Sequence, residues 1–124
     1  MPLIKKSTYR PPFYLLGGTL QTLVPALFRK IEAVGYERER LTLSDGDFID
    51  LDWIKTGQKR LVILTHGLEG DSQRHYMRGM ATIFRDAQWD VLAWNCRSCS
   101  GEMNRALRMY NHGDTDDISE LIEH

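Results

Sequence analysis

Apolar residues recur along this chain with two periods, one typical of strands and one typical of helices. Residues 61–65 form an apolar, partly β-branched run, which predicts a buried strand, and residues 90–95 predict a second one. Between them, a helix is expected from Ser72 as its N-cap to about Ala87. Its apolar face consists of Tyr76, Met77, Met80, Ile83, Phe84 and Ala87. Strand, helix and strand with short connections predict a right-handed βαβ unit, so we expect parallel strands.

A β-hairpin is predicted before this unit. Residues 36–43 and 48–54 flank residues 44–47, which read Ser-Asp-Gly-Asp, and Asp-Gly between alternating segments is a strong hairpin signal. Two apolar faces are expected, one with Leu41 and Leu43 and another with Ile49, Leu51 and Trp53. The sheet therefore changes from antiparallel to parallel along the chain, which predicts an α/β fold.

The N-terminal part of the chain predicts a helical arm. Residues up to about Pro12 are irregular, and a helical stripe of apolar residues follows. The stripe consists of Leu20, Leu23, Val24, Leu27, Phe28 and Ile31. Pro25 is expected to kink this helix or to mark its first turn, and Gly35 is expected to stop it. We expect the arm over residues 1–35 and the start of a central sheet over residues 36–124.

The composition is that of a globular protein with no electrostatic case for binding nucleic acid. Its 124 residues allow one domain, and 16 basic against 17 acidic residues give a net charge of −1. Residues 13–28 carry no charge, but Gly, Gln and Pro interrupt them and the stretch is too short for a membrane span. Lys5 and Lys6 precede it as in a signal peptide, yet no small-residue cleavage site follows. We expect an arm packed on the domain and, from the two cysteines, a cytoplasmic protein.

The turn after the first parallel strand is the leading candidate for chemistry. It reads His66-Gly67-Leu68-Glu69-Gly70. A glycine-rich turn at the end of a buried strand leaves backbone N–H groups able to face a ligand, and a donor to an oxyanion is worth about 3–4 kcal/mol. The N–H of Leu68, alone or with that of Glu69, is the expected donor. The alternative is an ordinary connection between a strand and a helix.

The motif Cys96-Arg97-Ser98-Cys99 suggests a redox dithiol or a metal site. A redox pair is activated by a helix N-terminus, and no helix-forming run follows directly. Zinc would need further ligands, and His66, His75 and His112 have no matching spacing. We therefore expect reduced thiols, no metal and no cofactor.

Acidic residues near the end of the chain predict a helix start. Asp114, Asp116 and Asp117 resemble a metal cluster on paper, but negative charge stabilises the first turn of a helix. We expect this helix to run to His124.

Polar residues after the second parallel strand form a third candidate site. They are Asn95, Arg97, Ser100, Gly101, Glu102, Asn104, Arg105, Arg108, Tyr110, His112 and Gly113. Such a loop at the carboxyl ends of the strands lines a substrate cleft near Leu68 in one interpretation. In the other, it is a solvated loop held by local hydrogen bonds. The sequence has no G-x-S-x-G motif, and Ser100 is not expected to be a nucleophile.

Three segments together resemble the YheT-like α/β-hydrolases, a group of predicted esterases related to the ABHD1/ABHD3-type proteins. The first consists of Leu20-Gln21-Thr22 and Pro25-Ala26-Leu27. The second consists of His66-Gly67-Leu68-Glu69-Gly70, His75-Tyr76 and Arg78-Gly79. The third consists of Asn95, Arg97, Cys99-Ser100-Gly101-Glu102, Asn104-Arg105, Arg108, Tyr110, Gly113, Thr115 and Asp117. The family usually has histidine at the position of Thr19 and Arg-Gly at the position of Arg97-Ser98.

The resemblance implies the N-terminal part of an α/β-hydrolase fold and hydrolysis of a carboxylic ester, such as an acylglycerol-like small molecule. Such hydrolases need about 250 residues or more, so their serine elbow, acid and histidine are expected outside these 124 residues. Of the catalytic groups, only the oxyanion donor Leu68 carries over. The alternative is a non-catalytic fragment or binding module, and a C-x-x-C thiol oxidoreductase is a distant third.

Two expectations follow for the chain by itself. It should not hydrolyse esters, because an oxyanion hole without a nucleophile stabilises a charge that nothing creates. The sheet should also have an exposed edge near the strand that ends at Asn95. Unpaired edges and apolar surface favour self-association.

Overall fold

The computed structural model describes residues 7–111, 113 and 115–124. The chain divides into two units, Met1–Lys30 and Ile31–His124. Within the described residues, the first unit contains helix α1 (Gly17–Phe28). The second unit contains β1 (Glu37–Thr42), β2 (Phe48–Ile54), β3 (Leu61–Thr65), α2 (His75–Asp86), β4 (Asp90–Asn95) and α3 (Asp116–Glu123).

Helix α1 is shorter than its apolar stripe predicted. It ends at Phe28, so Ile31 and Gly35 lie beyond it, and the prediction that Gly35 stops the helix is wrong. Pro25 lies inside the helix and interrupts its N–H ladder, and the backbone becomes extended one turn later at Arg29. No helix among the described residues is both long and apolar enough to cross a membrane. The packing of this arm on the domain stays a prediction.

The strands form one mixed sheet in the order β1-β2-β4-β3. β2 pairs with both β1 and β4 in antiparallel orientation, and β3 pairs with β4 in parallel. The predicted hairpin and the parallel strand–helix–strand unit are therefore confirmed. β4 lies between two strands, so the expected exposed edge is not at β4; the outer strands of the described sheet are β1 and β3.

The hairpin register explains which side chains face inward. Leu41 lies opposite Ile49, and Arg40 lies opposite Asp50. Residues opposite each other share a face of the sheet, so Leu41 and Ile49 meet on one side and the Arg–Asp pairs lie on the other. The expectation of two separate apolar faces is wrong. A single cluster contains Leu41, Leu43, Ile49, Leu51 and Trp53.

Apolar clusters lie on both faces of the sheet. One is completed by α3 and has the buried members Leu43, Ile49, Leu51, Leu92, Trp94, Cys96 and Leu121. The other is completed by α2 and has the buried members Val34, Ile54, Leu64, Met77, Ala81, Val91 and Ala93. Successive residues of β4 alternate between the two clusters, as expected for a strand buried on both faces.

Helix α2 does not begin at the predicted cap. Its N-cap is Arg74, and the Ser72 hydroxyl donates to the Asp52 carboxylate instead. The predicted apolar face is divided between core and surface, because α2 contacts the sheet along a narrower stripe. Met77 and Ala81 are buried, whereas Met80 and Ile83 are exposed.

A buried arginine anchors the start of the loop after β4. Arg97 is almost fully buried, and its guanidinium contacts the Asp117 carboxylate through Nε at 2.7 Å and Nη2 at 2.8 Å. Its Nη1 atom lies 2.7 Å from Asp45 in the hairpin turn. Bidentate pairing of this kind fixes both partners. Arg97 therefore joins α3 and the hairpin turn to the loop.

A second carboxylate, that of Asp47, holds a later part of the same loop. It accepts the N–H of Arg105 at 3.1 Å, the N–H of Ala106 at 3.0 Å and the Asn104 amide at 2.8 Å. Burial by itself would raise the pKa of Asp47, but these donors and the Phe48 N–H outweigh burial and lower the pKa to about 2. The loop is ordered by an ionised carboxylate.

Acid unfolding tests the role of Asp47. A carboxyl with a lowered pKa stabilises the fold above its unfolded-state pKa, and that contribution is lost as the pH falls through the folded-state value. For Asp47 the window runs from the ordinary aspartate value of about 3.9 down to about 2. Asp47→Asn should flatten the loss of stability across this window, as measured by urea unfolding at a series of pH values. Asp86→Asn, at an exposed site, is the control, and an unchanged slope in the Asp47 variant would contradict the assignment.

Candidate functional site

The N–H groups of the turn after β3 have separate hydrogen-bond acceptors. The Gly67 N–H donates to the Tyr76 hydroxyl at 2.8 Å, and the Glu69 N–H donates to the Tyr110 hydroxyl at 2.6 Å. The Gly70 N–H donates back to the Gly67 carbonyl at 2.9 Å. Side chains from α2 and from the loop after β4 therefore hold the turn in addition to its own backbone bond.

The Leu68 N–H differs from these groups. No acceptor among the described residues is hydrogen-bonded to it, and Leu68 as a residue is 77% exposed. Glu69, the next residue, has a φ of 51°, a left-handed conformation that costs a non-glycine residue roughly 1–2 kcal/mol. Arg74 supports this conformation by donating to the Glu69 carbonyl at 2.9 Å. The turn thus offers a backbone donor at Leu68.

The direction of that donor follows from the carbonyl in the same peptide group. The Gly67 carbonyl accepts hydrogen bonds from His66 Nδ1 at 2.8 Å and from the Gly70 N–H at 2.9 Å. The peptide bond is trans, so the Leu68 N–H points away from both donors. Hydrogen bonds to the carbonyl also polarise the amide and strengthen its N–H as a donor.

His66 is a structural bridge within this turn. Its ring is buried, and Nε2 accepts the Cys96 N–H at 3.0 Å. A backbone N–H can only donate, so Nε2 carries no proton and Nδ1 is the donor to the Gly67 carbonyl. The ring therefore connects the ends of β3 and β4.

The second glycine of the turn is required by space. A Cβ atom at Gly70 would lie 2.9 Å from the Gly67 carbonyl oxygen and 3.0 Å from the Tyr76 hydroxyl. A Cβ atom at Gly67 would meet only the Tyr76 hydroxyl, at an ordinary distance of 3.5 Å. Gly70 is thus the position that permits the close approach of carbonyl and hydroxyl.

An open cleft of about 370 Å³ lies beside the turn. The turn and the loop after β4 both line it, and the lining includes Glu69, Gly70, Cys99, Gly101 and Tyr110. Met103 and Met109 add apolar surface that is largely exposed. The structure therefore brings part of the predicted polar loop to the turn that contains Leu68.

Other polar residues of the loop support the fold. Asn95 is buried, where its amide oxygen accepts the Ser72 N–H at 2.9 Å. The Asn104 side chain donates to Asp47 at 2.8 Å and accepts the Ser98 N–H. His112 lies outside the described residues. For these positions, the interpretation as a loop held by local hydrogen bonds describes the contacts better than a cleft lining.

A buried polar cluster on the charged face of the sheet was not predicted. The Asp52 carboxylate accepts two bonds from Arg38, both at 2.8 Å, and further bonds from Ser72 and Asn95. Burial by itself would raise the pKa of Asp52, but the hydrogen bonds, with Arg38 foremost, outweigh burial and lower it. The cluster connects the start of α2 to the middle of the sheet.

The hairpin register is the sequence signal that could have revealed this cluster. Arg38 lies opposite Asp52, and Arg40 lies opposite Asp50. In β2 the aspartates alternate with apolar residues, and a register counted outward from the Asp-Gly turn pairs each arginine of β1 with one of them.

The two cysteines have the character of packing residues. Cys96 and Cys99 are thiols without a disulfide, as expected. Burial is the main cause that raises the pKa of Cys99 above its ordinary value. Catalytic redox thiols need the opposite shift, and the next described helix begins only at Asp116. The oxidoreductase interpretation therefore has no support from these contacts.

Neither Ser100 nor the aspartates of α3 have the surroundings of a reactive group. The Ser100 side chain hydrogen-bonds to the Asp50 carboxylate. Asp116 and Asp117 pair with arginine side chains, and Asp114 lies outside the described residues. Within the described ranges, no three potential metal-ligand side chains come together.

The sequence is similar to three curated proteins over most of its length. It is 38% identical over 104 residues to YheT of Escherichia coli (strain K12), a predicted esterase, and the match covers 81% of this chain and 31% of YheT. It is 25% identical to the embryogenesis-associated protein EMB8 of Picea glauca, with 94% of this chain and 28% of EMB8 covered. It is 26% identical to protein abhd-3.2 of Caenorhabditis elegans, with 94% and 32% covered. No family model matches the chain.

A solved structure has a similar fold. The esterase Pf2001 of Pyrococcus furiosus superposes with a TM-score of 0.56 at 24% identity, over 71% of this chain and 34% of that esterase. This likeness concerns the fold alone. The chain spans about a third of the length of the curated relatives it matches.

These similarities agree with the mixed sheet. The predicted fold class, a partial α/β-hydrolase fold, is confirmed by the four-stranded sheet and the structural neighbour. Over the 104 matched residues the chain is therefore related to YheT, and its fold is that of a partial α/β hydrolase.

Proposed function

We propose that this chain carries the oxyanion-donor region of an enzyme that hydrolyses carboxylic esters, with the Leu68 N–H as the donor. The observation that carries the proposal is the distribution of hydrogen bonds in the turn. The N–H groups of Gly67, Glu69 and Gly70 have protein acceptors, whereas that of Leu68 has none among the described residues. Two of the similar proteins are named as esterases, which supports the same reaction class.

In the proposed reaction, a serine from outside these 124 residues attacks the carbonyl carbon of the ester while a histidine takes the serine proton. The carbonyl oxygen gains a negative charge, and the Leu68 N–H donates to it. The histidine then gives the proton to the alcohol oxygen of the ester, as the bond between the carbonyl carbon and this alcohol oxygen breaks. The acyl group is left on the serine. Water, whose proton the histidine takes, then attacks this acyl-serine; the bond between carbon and the serine oxygen breaks, the serine regains its proton and the acid is released. Loss of one such donor typically slows catalysis by about 10²–10³-fold.

The contribution of this region is a donor fixed before the substrate arrives. The peptide group between Gly67 and Leu68 is held by His66 and by the Gly70 N–H. A donor that needs no rearrangement stabilises a developing charge at the lowest cost. The fixed orientation of this peptide group therefore supports Leu68 as the donor, in addition to the absence of an acceptor for its N–H among the described residues.

The cleft favours a small ester with an apolar part. Met103 and Met109 line it and are largely exposed, and methionine adapts to apolar groups of different shape. An acylglycerol-like ester has that character. The thiols of Cys96 and Cys99 fit a reducing compartment such as the cytoplasm.

An anionic mimic of the tetrahedral intermediate should bind at Leu68. When the ¹⁵N-labelled chain is titrated with methyl butylphosphonate, we expect the largest amide-proton shift at Leu68, because its N–H is open to a new acceptor. The amides of Gly67 and Glu69, which already have acceptors, are the internal controls. An absent shift at Leu68, or equal shifts at all three amides, would contradict the proposed donor.

Gly70→Ala should remove the phosphonate-induced shift of Leu68. The added Cβ would lie too close to the Gly67 carbonyl and the Tyr76 hydroxyl, so the peptide group that carries the donor must move. Gly35→Ala is the matched control, because its Cβ would have no neighbour within 4 Å. The same titration measures both variants. A Leu68 shift that survives in the Gly70 variant would show that the donor does not depend on this contact.

The 124-residue chain is expected not to turn over a short-chain nitrophenyl ester. It has no G-x-S-x-G motif, and the Ser100 side chain is engaged by Asp50. Release of nitrophenol is therefore expected to equal that of the Ser100→Ala variant. Turnover that disappears in this variant would identify Ser100 as a nucleophile and contradict the proposed division of the catalytic groups.

A further inference from the structure

We propose that Tyr76 and Tyr110 are positioning residues for the oxyanion donor. Their hydroxyls accept hydrogen bonds from the N–H groups on either side of Leu68. Of these three N–H groups, only that of Leu68 is then left to bind an anion. We call these two residues the tyrosine clamp. The inference rests on the proposed role of Leu68 and concerns the groups that make this role specific to one N–H.

The two hydroxyls reach the turn from different elements. Tyr76 lies in the first turn of α2, and its hydroxyl accepts the Gly67 N–H at 2.8 Å. Tyr110 lies in the loop after β4, and its hydroxyl accepts the Glu69 N–H at 2.6 Å. The clamp therefore ties two separate parts of the fold to the residues that flank Leu68.

The peptide geometry explains why both contacts are needed. The Gly67 N–H belongs to the peptide group before the one that carries the Leu68 N–H, and the Glu69 N–H belongs to the group after it. Fixing both neighbours fixes the rotation of the central group, whose carbonyl is held by His66. Without acceptors, the flanking N–H groups would compete with Leu68 for the same anion. Because the N–H groups of Gly67 and Glu69 already have acceptors, the Leu68 N–H is left as a donor with a fixed direction.

Tyr110 also stabilises the strained residue of the turn. Glu69 has a φ of 51°, which a non-glycine residue adopts only when its surroundings compensate. The hydrogen bond from its N–H to Tyr110 supplies such compensation. The ring of Tyr110 stands edge-on to His66 with centroids 6.0 Å apart, so the hydroxyl is fixed by packing as well.

A neutral hydroxyl suits this position better than a carboxylate. The Glu69 N–H by itself would lower the pKa of Tyr110, but burial and the neighbouring Cys99 outweigh it and leave the pKa raised. Tyr110 therefore accepts the amide bond without placing a negative charge beside the oxyanion. The Cys99 thiol is in hydrogen-bond contact with the same hydroxyl, which gives the O–H proton a partner.

Phenylalanine variants remove each hydroxyl and keep its ring. By amide hydrogen exchange on the ¹⁵N-labelled chain, Tyr110→Phe should raise the exchange rate of Glu69 roughly five- to tenfold, the order expected for one lost hydrogen bond, and leave Gly67 unchanged. Tyr76→Phe should have the reverse effect. Tyr14→Phe, with an exposed ring in the other unit, is the control and should change neither rate. Unchanged rates in both clamp variants would overturn the inference.

The unsubstituted chain gives a second test, which holds even if a variant fails to fold. Relative to unstructured peptide rates, the amides of Gly67 and Glu69 should exchange more slowly than that of Leu68. Equal protection of all three amides would overturn the clamp.

Phosphonate titration separates the clamp from the proposed function. In Tyr110→Phe, the shift caused by methyl butylphosphonate should spread from Leu68 to Glu69, whose N–H has lost its acceptor. A shift that stays confined to Leu68 in both phenylalanine variants would overturn the clamp and leave the proposed donor intact. No Leu68 shift in the unsubstituted chain would overturn the proposed donor, while the exchange rates would still decide on the clamp.

Discussion

The Gly67 carbonyl oxygen is the atom on which the turn after β3 depends. It accepts hydrogen bonds from the His66 ring and from the Gly70 N–H, and these two bonds fix the orientation of its peptide group. The Cys96 N–H at the end of β4 donates to the other ring nitrogen of His66, which selects the tautomer whose Nδ1–H faces this carbonyl. The parallel pairing of β3 with β4 therefore determines, through one imidazole ring, where the Leu68 N–H points.

The opposite wall of the cleft is ordered by buried charge. Arg97 must be neutralised where it lies, and Asp117 and Asp45 do so from α3 and from the hairpin turn. A buried charge that loses its partner costs about 3–5 kcal/mol, so these contacts define a single arrangement of the loop. The Asp47 carboxylate likewise accepts the N–H groups of Arg105 and Ala106 further along the loop. The loop that carries Tyr110 is thus held by electrostatic contacts.

Local patterns predicted the sheet well, and long-range contacts explain the failures. The bounds of β3 and β4 follow from short apolar runs, although β3, an outer strand of the described sheet, buries only Leu64, whereas β4 is buried along most of its length. Serine is a residue type favoured at helix N-caps, but the Ser72 hydroxyl donates to the carboxylate of Asp52, a residue distant in sequence. The His-Gly motif pointed to Leu68 as a candidate donor, which stays a prediction, whereas the clamp could not be predicted. Its contacts span 9 and 41 residues, and Tyr76 also fits the apolar stripe of α2.

A donor that belongs to the backbone leaves little trace in the identity of its residue. Every amino acid except proline supplies an N–H at position 68, and the exposed Leu68 side chain has few contacts to lose. A scan of single substitutions would therefore score this position as tolerant. The same scan would score Gly70 as intolerant, because any side chain there meets the Gly67 carbonyl. For a backbone donor of the proposed kind, mutational sensitivity identifies the residues that hold the peptide group in place. The donor itself is found only from the geometry of the main chain.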